Sequence, residues 1–150
     1  MMIMSRRVVV SALAGFVIVR PAFARGPGVS KDARGAAIQG FDTRAYWREG
    51  AARPGDPSVV VDWQGAAWHF GSAEEAARFA ENPAAFAPRF GGFCTRAMSF
   101  KKVVDGDPEV WRIFEGGLYL FARPVGGRAF DKGQIEMIRK AQAHWERLNG

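Results

Sequence analysis

Three residues carry the side chains best suited to chemistry. Cys94 is the only cysteine of the 150 residues, and it follows Gly91-Gly92 in the stretch FGGFCTRAMSF. Met98 comes four positions later, and His69, one of two histidines, lies upstream in AWHF. Residues at i and i+4 share one face of a helix, so a helical CTRAM sets a thiol beside a thioether. Sulfur donors of that softness suit Cu(I). The expected metal set is therefore Cys94, Met98 and His69, with copper the ion its softness favours. A glycine-hinged entry would place Cys94 in the first helical turn, where free N–H groups and the dipole favour a thiolate, with Arg96 adding to the effect. The same thiolate, with His69 as base, would serve nucleophilic or redox chemistry instead. The third option is inert: a free cysteine often packs as a small hydrophobe, and methionine fills core gaps. The residues leave all three open.

The remaining polar residues read as structural. Asp42 suits a helix cap. Asp105 and Asp107 flank Gly106 in a turn-forming DGD, without the later ligands of a calcium loop. His144 sits beside Trp145 in a helical pattern, where packing is the expected role. No G-x-S-x-G, Walker loop or H-E-x-x-H is present. Five Trp, twelve Phe and two Tyr supply an aromatic core.

These side chains need elements to hold them. Residues 25–37, RGPGVSKDARGAA, are rich in Gly, Ala and charge and are expected to form a flexible tether, with the domain spanning 38–150. Phe41, Ala45 and Tyr46 fit a short helix opened by Asp42 and stopped by Gly50. Val59, Val61 and Trp63 alternate before Gln64-Gly65, and Ala66 to Phe70 runs back: a β-hairpin, with Ala66, Trp68 and Phe70 on one face and Ala67 and His69 on the other. Ser72 with Glu75 three residues on forms a capping box for a helix ending at Asn82-Pro83. Val110–Phe114 and Leu118–Phe121 form a second hairpin. Asp131 to Leu148 reads as one long amphipathic helix. The class is α+β: a small antiparallel sheet of two hairpins, packed helices and a long C-terminal helix.

The first 24 residues have the parts of a cleavable export signal. Arg6-Arg7 precede an apolar run, Val8 to Val19, which is shorter than the roughly 20 residues a membrane span needs. Ala22-Phe23-Ala24 then offers a cleavage site before Arg25. The arginine pair in SRRVVVS is similar to a twin-arginine signal; the general secretory route is the alternative. The expected location is periplasmic or secreted, with no stable membrane anchor once the signal is cut. Without Arg6, Arg7 and Arg20, the chain's net charge of +6 halves. No basic run of nucleic-acid type remains, so nucleic acid is not an expected partner.

The order of these pieces resembles the YHS-domain family, in its exported bacterial single-domain branch. The resemblance runs from Ile38 to Leu148 and rests on F-D-x-x-A-Y at Phe41 to Tyr46, W-H-F-x-S at Trp68 to Ser72, and G-G-F-C at Gly91 to Cys94. It implies a metal-handling relative, since YHS domains occur beside copper-transporting ATPases. The family's usual cysteines near the hairpin and following helix are missing: Gly71 follows WHF, and AEEAARFAENP has none. What carries over is Cys94. The resemblance thus implies a non-enzymatic exported domain holding a metal ion or another small ligand near Cys94. A thiol enzyme and a plain interaction module with a structural cysteine stand as alternatives.

Overall fold

The computed structural model describes residues 26–150; the export-signal expectations for 1–24 lie outside them. The helices are α1 (Thr43–Glu49), α2 (Ala73–Glu81), α3 (Pro83–Phe86), α4 (Thr95–Ser99), α5 (Pro124–Asp131) and α6 (Gln134–Asn149). The strands are β1 (Asp56–Trp63), β2 (Ala66–Phe70), β3 (Asp107–Phe114) and β4 (Gly117–Phe121). The fold is α+β, and its two antiparallel hairpins stay separate, each a two-stranded sheet.

Local chemistry explains most boundaries. Asp42 caps α1, accepting from Arg44 N–H, and Gly50 closes it in the left-handed conformation. The first hairpin turns on Gln64 and Gly65, φ 49° and 72°, and the second on Glu115 and Gly116, φ 45° and 74°. Paired positive φ values are those of a type I′ turn, whose twist matches that of the strands. Ser72 caps α2 through Glu75 N–H, 3.3 Å away. The capping box is only half made, because the Glu75 carboxylate turns instead to Arg44, at 2.8 Å.

One expectation needs correction, and one element was missed. The stretch 25–37 is no loose tether from residue 26 on: Val29, Ser30, Ala36 and Ala37 are buried. Ser30 N–H donates to Gly91 O, and Ala37 N–H to Ala67 O. Its small residues let this strand of chain lie close against the domain. The long C-terminal helix is α6, opening at Gln134 rather than Asp131, and a further helix that was not expected, α5, precedes it across Lys132-Gly133. The segment PVGGRAFD was hidden by its glycines. Gly126 and Gly127 are buried where a Cβ would stand 3.1 Å from the Phe121 side chain and 3.0 Å from that of Arg112, so helix propensity yields to close packing.

The core has two parts. Trp68, Phe70, Phe79 and Tyr46 centre one; Phe93, Met98, Tyr119, Phe121 and Phe130 centre the other. Strand β4 lies between them and is buried along its length. Leu118 and Leu120 enter the first part, Tyr119 and Phe121 the second, as alternation along a strand requires. A strand buried on both faces is a continuous apolar run, which GLYLF is. Tyr46 ties the two parts, donating its hydroxyl to Pro108 O at 2.6 Å.

The two parts repeat one plan. IQGFDTRAY (Ile38–Tyr46) corresponds to FGGFCTRAM (Phe90–Met98). In each, three residues in succession have positive φ: Ile38, Gln39 and Gly40, then Phe90, Gly91 and Gly92. Asp42 N–H donates to Arg53 O at 2.8 Å and Cys94 N–H to Val104 O at 2.7 Å; Gly55 N–H reaches Gly40 O and Gly106 N–H reaches Gly92 O. Each hairpin starts at Asp-Pro, carries one bulge, and pairs its first residue with its last: Asp56 with Phe70, Asp107 with Phe121. A helix follows each, α2 and α5.

Candidate functional site

Cys94 is the N-cap of α4, one position before the first turn where it was expected. Its sulfur accepts from Ala97 N–H at 3.4 Å, the bond a serine or aspartate makes in that position. The residue is 4% exposed, and Met98 is fully buried, both in the second part of the core. The entry is as the glycines suggested: Gly91 and Gly92 have φ 63° and 83°, angles open to glycine and strained for most other residues. Phe90 shares that geometry at φ 56°.

Cys94 lines a cavity of about 200 Å³ together with Arg96, Ala97, Val104, Ala122, Val125 and others. The walls are apolar. Phe100, 64% exposed, Val104 and Val125 hold apolar surface out to solvent around it. Arg96 and Arg123 supply the charge. Among the described residues neither enters an ion pair; the Arg96 guanidinium lies over the Phe100 ring at 5.6 Å.

His69 lies elsewhere. It is on β2, half-buried, opposite Val60 of β1. It lines a separate cavity of about 280 Å³ with Asp32, Arg34 and Gln39, which shares no lining residue with the Cys94 cavity. Two glycines make room for it: a Cβ on Gly40 would stand 3.1 Å from His69 Nδ1, and one on Gly55 2.7 Å from His69 Cβ. His144 is half-buried on α6, and its Nδ1 is buried without a hydrogen-bond partner. Among the described residues, no three His, Cys, Asp or Glu side chains come close enough to hold a metal ion.

Compared with known families, curated proteins and solved structures, this chain matches none. The likeness to YHS domains therefore rests on the motifs quoted above. The structure brings Cys94 and Met98 together in one part of the core and sets His69 beside the other part. Sequence reasoning passed over Arg123, Ala122, Val125 and Gly126. The signal that finds them is the internal repeat, because IQGFDTRAY and FGGFCTRAM align without a gap.

Proposed function

We propose that this chain is an exported, non-enzymatic domain of the YHS kind that holds a small ligand in the cavity beside Cys94. The observation that carries this reading is the cavity itself: about 200 Å³ of largely apolar space lined by the chain's one cysteine and by two arginines that have no ion-pair partner among the described residues. An apolar cavity of about 150 Å³ is enough to take up benzene. The export part rests on Arg6-Arg7, the apolar run and Ala22-Phe23-Ala24. No helix among the described residues is long and apolar enough to cross a membrane.

The ligand reading is better supported than the metal one. Copper held by Cys94, Met98 and His69 needs three donors at one point, and His69 belongs to another cavity. A thiol enzyme with His69 as base meets the same obstacle, since a general base must lie within hydrogen-bond reach of its partner.

Cys94 is its own reporter. With one thiol in the chain, the rate of labelling by a disulfide reagent reads access to the cavity. Benzene at saturation is expected to slow labelling and to raise the melting temperature, as any ligand specific to the folded state does. Labelling and melting both indifferent to benzene would remove the support. One equivalent of Cu(I) that survives a chelator wash and is lost in Cys94→Ser would replace this reading with a metal site.

A further inference from the structure

The internal repeat says what kind of ligand the cavity is built for. Aligning the hairpins at Phe70 and Phe121 makes Ala122 the counterpart of Gly71, Arg123 of Ser72, Val125 of Glu74 and Gly126 of Glu75. Aligning α1 and α4 makes Cys94 the counterpart of Asp42 and Arg96 of Arg44. In the first half this group is full, and two arginines balance two carboxylates, because Arg48 also reaches Glu75, at 3.4 Å. Asp42 accepts from Arg44 N–H and from Gly71 N–H, both at 2.9 Å. Arg44 pairs with Glu75 at 2.8 Å, with side chains only 13% and 12% exposed.

In the second half the counterparts Cys94, Arg96, Ala122 and Gly126 all line the Cys94 cavity. Both carboxylates have gone: Asp42 is replaced by Cys94 and Glu75 by Gly126. Of the two arginines, Arg44 is kept as Arg96 and Arg48 is replaced by Phe100, while Ser72 is replaced by an arginine, Arg123. The cavity stands where the first half keeps its two carboxylates, and its cations have no partner among the described residues. Its other walls, Ala97, Val104 and Val125, are apolar.

We propose that the Cys94 cavity takes a ligand with an apolar body and a carboxylate, the carboxylate pairing with Arg96 as Glu75 pairs with Arg44. This rests on the small-ligand reading above and names the chemical class. A charged acceptor opposite a guanidinium is favoured over a neutral one, and the apolar body occupies the space between Ala97, Val104 and Val125.

The test uses benzoate as probe and benzamide as its uncharged isostere, titrated against the chain at neutral pH and fixed salt by calorimetry or NMR. Benzoate is expected to bind at least about tenfold more tightly, the worth of one hydrogen-bonded charge pair. Arg96→Gln is expected to bring benzoate down to the benzamide level. Gly126→Glu supplies the missing carboxylate from within the chain and is expected to bind neither probe while keeping its cooperative melting; Arg96→Gln carries the test if that variant fails to fold. Equal binding of the two probes, or benzoate binding untouched by Arg96→Gln, overturns the carboxylate assignment while leaving a small-ligand cavity. No binding of benzoate, benzamide or benzene overturns the cavity reading and this inference together.

Discussion

Replacing Asp42 by alanine tests whether the F-D-x-x-A-Y motif is architecture. Asp42 is 1% exposed. One carboxylate oxygen accepts from Arg44 N–H and opens α1; the other accepts from Gly71 N–H, where β2 leads into α2. One side chain thus joins two elements far apart in sequence. Hydrogen bonds to charged groups contribute about 1.5–3 kcal/mol each, and a buried donor left without a partner adds to the loss. Both bonds vanish in Asp42→Ala, so the expected loss is about 3–5 kcal/mol. Against a typical total of about 5–15 kcal/mol, that is a large fraction. Asp42→Asn keeps one acceptor oxygen but turns its amide toward one of the two N–H groups, so it should fall between wild type and alanine, near 2 kcal/mol. Urea unfolding followed by tryptophan fluorescence measures both, with the midpoint moving and the slope unchanged. A loss below about 1 kcal/mol for Asp42→Ala, or asparagine worse than alanine, would refute the assignment of Asp42 as a two-element clamp.

Other expectations follow from the paired halves and from charge. Thr43 and Thr95 are counterparts, both fully buried; Thr43 Oγ1 donates to Phe86 O at 2.6 Å, whereas Thr95 Oγ1 has no partner among the described residues. Thr43→Val should therefore lose about 1 kcal/mol and Thr95→Val should be neutral or stabilising, as chemical unfolding would read. Lys101 sits just past α4 at φ 62°, with Lys101 N–H on Met98 O and Lys102 N–H on Ala97 O, a Schellman closure whose left-handed residue is usually glycine. Lys101→Gly should raise stability by about 1 kcal/mol in the same assay. Burial raises the Glu75 carboxyl, but Arg44 and then Arg48 outweigh it and hold it below 4.5. A depressed carboxylate stabilises above its unfolded value and loses that contribution as pH falls through the folded one. Wild type should thus lose stability below about pH 4.5 more steeply than Glu75→Gln, and parallel acid curves would contradict this. In a bacterial host, N-terminal sequencing of exported protein should begin at Arg25, and replacing Arg6 and Arg7 by lysine should block export if the route is twin-arginine.

The elements legible in the sequence were those written in local chemistry. Asp42 and Gly50 bracket α1, Ser72 opens α2, and Gln64-Gly65 turns the first hairpin, each through bonds made within a few residues. What escaped depended on distant partners. Glu75 forms half a capping box because Arg44, in another helix, claims its carboxylate. Gly126 and Gly127 sit in a helix where a Cβ would stand 3.1 Å from Phe121 and 3.0 Å from Arg112, a close packing that no local propensity records. Ser30 is fixed by Gly91 and Asp105, so a stretch with a tether's composition is folded. At the site, the sulfur at a glycine-hinged helix entrance was legible from FGGFC. The separation of His69 from Cys94 was not, since it depends on which hairpin packs against which helix.

The internal repeat also explains why the cavity is not a simple packing fault. A fault in an aromatic-rich core would be closed by the larger side chains near it. Here Phe100, Val104 and Val125 stand out to solvent around the cavity, while Ala97, Ala122 and Gly126 keep its walls back. Two backbone bonds that hold the equivalent place in the first half are kept: the N-cap donates to the loop before the hairpin, and the glycine pair closes behind it. In the charged centre the halves differ: two carboxylates give way to a thiol and a glycine, Arg48 gives way to Phe100, Ser72 to Arg123, and one arginine is retained. A scaffold preserved around an altered charge balance leaves a cation to be neutralised from outside the chain, and that is the physical ground on which a carboxylate ligand, rather than a metal ion, belongs beside Cys94.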